Sequence, residues 1–75
     1  MANKNNPGAY DCYAHAHPDE PMFVLLGRDP DAPKLVEAWA DVRERNSEDP
    51  AKVAEARACA QTMRAWLERL GKTER

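Results

Sequence analysis

Residues 49–71, DPAKVAEARACAQTMRAWLERLG, decide how this chain folds. With Val53 as the origin and about 100° of rotation per residue, Ala56, Cys59, Ala60, Met63, Trp66, Leu67 and Leu70 fall within an arc of roughly 140°. An apolar stripe of that width is the core-facing side of an amphipathic helix. Its boundaries are marked at both ends. Asp49 or Ser47 supplies an N-cap, Pro50 occupies the first helical position, and Gly71 offers the left-handed residue that ends a helix. Ala51, Ala54, Ala58 and Ala65 gather opposite the stripe, either as good helix formers on a solvated face or as a flat face for close packing in an oligomer. Arg57 and Arg64, seven residues apart, border the stripe on one edge.

Working outward, residues 32–45 form a second helical pattern, with Leu35, Val36, Trp39 and Val42 inside an arc of roughly 120°. The link Asn46, Ser47, Glu48 is short enough to fold the two helices into an antiparallel helical hairpin. Trp39 and Trp66 then stand on facing stripes and fill a thin core with aromatic area. Before this pair lies Met22, Phe23, Val24, Leu25, Leu26, an uncharged run between Pro21 and Gly27 that reads as a buried extended segment or short strand. Its backbone must find partners, either in the same segment of another protomer or by lying across the helices. Residues 27–33 make a turn into the first helix, where an Arg28–Asp salt bridge is expected to fix the chain.

Seventy-five residues hold one domain, divided here into a flexible N-terminal segment at 1–17, a helical-hairpin domain at 18–72 and a tail at 73–75. Residues 1–8 are Asn-rich and are read as flexible, because such a composition buries too little surface to offset its ordering entropy. A core drawn from about 55 residues is marginal alone, so the fold class expected is all-α, completed by a homodimer or larger closed oligomer.

Eleven Lys and Arg against thirteen Asp and Glu give a net charge of −2, with the two signs interspersed. Nucleic acid is therefore not an expected partner, since a basic face supplies most of that affinity. No apolar run approaches the ~20 residues of a membrane span, and the first ten residues lack the apolar core of a signal peptide. A soluble intracellular protein with Cys12 and Cys59 as reduced thiols follows.

Three features carry possible chemistry. Cys12, His15 and His17 stand in a C-x-x-H-x-H spacing, and Cys59 would complete a zinc shell of two thiolates and two imidazoles. Arg28, Arg57 and Arg64 are the candidate anion-binding residues. A catalytic constellation is not expected, because Ser47 is the only serine, it sits where a cap is wanted, and no nucleophile has a visible helper. No cofactor is expected apart from the zinc alternative.

Glu20, Pro21, Phe23, Val24 and Leu25, followed by the acidic turn at Asp29 and Asp31 and by Val36, Trp39 and Ala40, form an E-P-x-F-V-L segment, a turn and a V-x-x-W-A helix. In these features the C-terminal three quarters of the chain resembles small accessory proteins of tailed bacteriophages and prophages, mostly of unassigned function. The resemblance implies a bacterial host cytoplasm and an accessory role in phage growth or lysogeny. Three functions are carried forward: a module binding a host or phage protein, an oligomeric sponge sequestering a nucleotide-derived immune signal, and a zinc-stabilised structural module. Truncation to residues 18–72 is expected to keep most of the far-ultraviolet helix signal, whereas Met63→Asp, which puts an unpaired charge into the stripe, is expected to abolish it.

Overall fold

The structure is a computed structural model that describes the backbone of residues 2–74 and the side chains of residues 2–70. Among the described residues it is all-α: a single turn α1 (Cys12–His15), α2 (Ala32–Arg45) and α3 (Pro50–Glu74), with no strand. Among the described residues no helix is long and apolar enough to cross a membrane.

Both long helices begin where acidic residues meet a proline, but the two acids act differently. Asp49 caps α3 through its side chain, accepting the Ala51 N–H on Oδ1 at 3.0 Å, while its carbonyl accepts the Val53 N–H at 3.1 Å. Asp31 precedes α2 without a side-chain capping bond and pairs with Lys34 at 3.0 Å. The preceding turn is built by Asp29. Its N–H donates to the Leu26 carbonyl, its carbonyl accepts from Ala32 N–H, and its Oδ1 accepts from Asp31 N–H at 2.9 Å. The expected Arg28–Asp bridge is absent among the described ion pairs, because backbone donors and Lys34 already occupy those carboxylates. Arg28 is exposed.

Ser47, considered above as a cap for the second helix, instead closes the first. At φ 56° it is the sole described non-glycine residue with a left-handed backbone. Ser47 N–H donates to the Glu44 carbonyl and Glu48 N–H to the Arg43 carbonyl, both at 3.0 Å, the paired bonds of a Schellman stop. An apolar contact usually accompanies that motif. Here the Arg43–Glu48 ion pair at 2.8 Å takes its place. Gly71 does not stop α3, which continues to Glu74. The residues after it, Lys72, Thr73 and Glu74, offer neither the apolar contact of a Schellman turn nor a proline, and a helical glycine costs only about 1 kcal/mol relative to alanine. The tail expected at 73–75 is thus helical through Glu74, and Arg75 lies outside the described residues.

The buried apolar residues are small: Ala32, Ala40, Ala56 and Ala60 are fully covered and Val53 is 5% exposed. On α3 these belong to the expected stripe, with Cys59, Met63, Leu67 and Leu70 half-buried beside them. Ala51, Ala54, Ala58 and Ala65 lie outside it and are exposed. On α2 the facing line is rotated from the one expected. Val36 and Trp39 pack against the Ala40, Val53, Ala56 cluster, while Leu35 and Val42 stay 49% and 40% exposed. Bulky residues do not choose the contact here. Alanines at the crossing let the two backbones approach, and the larger side chains are displaced to its margins.

The chain before α2 is laid along α3 in the same direction. Tyr10 Oη donates to Asp49 Oδ2 at 3.0 Å and Ala9 N–H to Glu55 Oε1 at 3.2 Å, while Gly27 lies against Met63 and Trp66 farther on. Gly8 has φ +81°, and a Cβ there would collide with Glu55 Oε1, so glycine is needed on both counts. The run 22–26, expected to be buried or to form a strand, does neither: it is irregular chain, and Met22, Phe23, Val24 and Leu26 are exposed because no described element covers them.

Two stability outcomes follow. Ser47→Gly removes the left-handed strain and should stabilise by about 1 kcal/mol, raising Tm by roughly 4–8 °C in a thermal melt. Ala56→Leu adds volume to the Ala40, Val53, Ala56 cluster between the helices and should destabilise by about 1–3 kcal/mol in a urea titration.

Candidate functional site

Of the three candidate anion-binding arginines, two are engaged in holding α2 to α3. Arg57 Nη1 donates to Asp41 Oδ1 at 2.9 Å and its Nη2 to Glu44 Oε2 at 3.0 Å. Arg64 makes a two-pronged pair with Glu37, both contacts at 2.6 Å. The partners fall in α2 as they rise in α3, from Glu44 and Asp41 with Arg57 to Glu37 with Arg64. The planar guanidinium fork suits a carboxylate as well as it suits a phosphate, and here the carboxylate is supplied by the neighbouring helix. Arg28 lies apart, in the turn before α2.

The electrostatic consequences are consistent around this edge. The hydrogen bond from Arg64 holds the Glu37 carboxyl below its ordinary range, and Arg43 does the same for Glu48. Arg57 is raised by its bonds to Asp41 and Glu44, and Arg64 by its bond to Glu37. At the start of α3 the hydrogen bond between them raises the Tyr10 phenol and lowers the Asp49 carboxyl. Each shift favours the species already present near neutral pH.

The metal alternative finds no geometry. Among the described residues no three of His, Cys, Asp and Glu converge on a point where an ion could be held. Cys12, His15 and His17 are exposed on or next to α1, and Cys59 is half-buried on α3. One helical turn displays Cys12 and His15 at its surface without supplying the remaining ligands. That turn is capped by Asp11, which accepts from Ala14 N–H at 3.4 Å, and sequence periodicity could not reveal it because four residues carry no pattern.

A shallow open hollow at the link between α2 and α3 is lined by Glu44, Ser47, Glu48, Pro50, Val53, Ala54 and Arg57. Its charged groups are two glutamates and one arginine, and that arginine is already paired with Glu44. Such a lining repels a phosphate. Nearby, Arg43 and Lys52 lie over the Trp39 ring at 5.3 Å and 5.8 Å from its centroid, which closes one face of that ring to a stacking ligand.

What remains open is apolar. Tyr13, Met22, Phe23, Val24, Leu26, Leu35, Val42 and Trp66 are between 40% and 88% exposed. On α2, Leu35, Ala38 and Val42 are exposed together at i, i+3, i+7 spacing, a stripe on a different side from the one covered by α3. Sequence reading missed it because the same residues fit equally well as core. No protein-family model, curated protein or solved structure matches the chain.

The depressed carboxyls set a pH dependence. A group whose folded pKa is lowered contributes stability above its unfolded value and loses it as pH falls through the folded one. Stability should therefore hold near neutrality and decline as pH drops below the ordinary glutamate value of 4.5. Arg64→Ala should flatten that decline, as measured by Tm between about pH 7 and pH 3.

Proposed function

We propose that this chain is a non-enzymatic accessory module that binds a host or phage protein in the bacterial cytoplasm, built on an α2–α3 helical hairpin and completed by association with itself. The observation carrying this reading is the exposed Leu35, Ala38, Val42 stripe. Its spacing matches the anchors by which a helix docks into an apolar groove, and its position leaves the α2–α3 contact undisturbed. The phage setting rests on the E-P-x-F-V-L and V-x-x-W-A resemblance.

The nucleotide-sponge alternative is less well supported. Sequestering a signal with one or two phosphates calls for converging cationic donors, yet Arg57 and Arg64 are engaged by three acids of α2. Self-association is favoured by area. The chain exposes 6084 Å², whereas a compact protein of this mass exposes about 4,700 Å². The excess is larger than the roughly 800 Å² that each partner contributes to a standard interface.

Affinity capture from bacterial lysate followed by mass spectrometry should recover a specific partner with the natural chain and lose it with the Leu35→Glu, Val42→Glu double variant. That variant should retain its circular dichroism spectrum, because both side chains are already exposed. Calorimetric titration with cyclic dinucleotides and cyclic ADP-ribose-like molecules should give no saturable heat. A stoichiometric heat with any of them would put the sponge reading first.

A further inference from the structure

The run 22–26 is the largest unresolved demand in the molecule. Five consecutive apolar residues form neither helix, strand nor turn, and four of them are heavily exposed: Met22 50%, Phe23 88%, Val24 68% and Leu26 48%. Over residues 21–25 no backbone N–H or C=O has a hydrogen-bond partner among the described contacts. The run carries no charge and is apolar on both alternate sets of side chains, a pattern belonging to a strand covered on both faces. One neighbour is given by the chain itself, since the adjoining Gly27 rests on Met63 and Trp66 of α3.

We propose that residues 22–26 pair antiparallel with the same residues of a second copy of this chain, making a two-stranded ladder at the centre of a homodimer. This rests on the binding-module reading and specifies its self-association surface. Several features favour a second copy over a foreign segment. An uncharged run meets its own image without like-charge repulsion, and a two-fold axis satisfies both copies with one geometry. The surplus accessible surface is of the size a dimer interface removes.

The ends of the run fix its register. Pro21 has no N–H to extend the ladder at one end, and at the other the Leu26 carbonyl already accepts from Asp29 N–H. Pairing is therefore centred on Val24 opposite Val24, with Phe23 opposite the second copy's Leu25 and Met22 opposite its Leu26. Because the Leu26 carbonyl is taken, the bonded pairs are Phe23 with Leu25. That gives four backbone hydrogen bonds and leaves Val24 as the non-bonded pair, with Cα atoms about 4.5 Å apart.

Sedimentation at micromolar concentration should show a dimer. Phe23→Pro removes two of the four ladder donors from a side chain that packs on little of its own chain, and should weaken self-association by about tenfold or more while the helix signal is unchanged. Phe23→Tyr, which keeps the N–H, should remain dimeric. Val24→Cys in a Cys12→Ser, Cys59→Ala background should form an interchain disulfide under mild oxidation, since its Cα separation lies within disulfide range. A monomeric natural chain, a Phe23→Pro variant as dimeric as its parent, or a Val24→Cys chain that does not cross-link would each overturn the pairing. A monomer that still captures a bacterial protein overturns the ladder and leaves the binding reading standing, and a cross-linking dimer that captures none does the reverse.

Discussion

Ala40 and Ala56 have no exposed surface, and the arrangement of the rest of the chain depends on the close approach they permit. Side chains ending at Cβ let α2 and α3 come together with little between their backbones, and Val53 closes the contact toward the link. Dispersion at such a contact is dense but the apolar area is small. Among the described residues no large side chain is fully buried, and Val53, at about 1.5–3 kcal/mol for complete burial, is the largest contributor in the buried cluster. A contact of this kind is close to marginal, so other interactions must hold its register.

The arginine fork of α3 holds it. Arg64 on Glu37 and Arg57 on Asp41 and Glu44 tie three successive levels of α2 to one flank of α3, and the link itself is locked by Arg43 on Glu48 and by the left-handed Ser47. Exposed ion pairs contribute modestly to stability, but they discriminate strongly among rotations, because a helix turned by one residue would lose all three ion pairs together. This explains why Leu35 and Val42 are outside. The rotation that satisfies the acids and brings Ala40 to the crossing is the one that turns those two away.

The other flank of α3 carries the N-terminal third of the chain. Glu55 and Asp49 receive Ala9 and Tyr10, and Met63 and Trp66 receive Gly27. This organisation consumes polar groups efficiently and apolar groups poorly. Arg57 and Arg64, which looked available for an anion, are spent on structure, while Met22, Phe23, Val24 and Leu26, with Leu35 and Val42 on α2, remain in water. Such a balance suits a protein whose function is association better than one built to enclose a small charged molecule.

The sequence by itself determined the helical class, the span of α2 and the start of α3, because each rests on interactions a few residues apart: a 3.6-residue period and the Asp49-Pro50 start; it also marked the uncharged run between Pro21 and Gly27, but not its exposure. It misassigned the ends and the faces. Gly71 lacked the apolar neighbour a stop requires, Ser47 took a left-handed turn that its type disfavours, and α2 turned Leu35 and Val42 outward. The last of these depended on pairings across 13 to 27 positions, Arg57 with Glu44 and Arg64 with Glu37. Periodicity reports which residues can share a face. Only tertiary contact decides which face is covered, because that choice compares the whole of one packing with the whole of another.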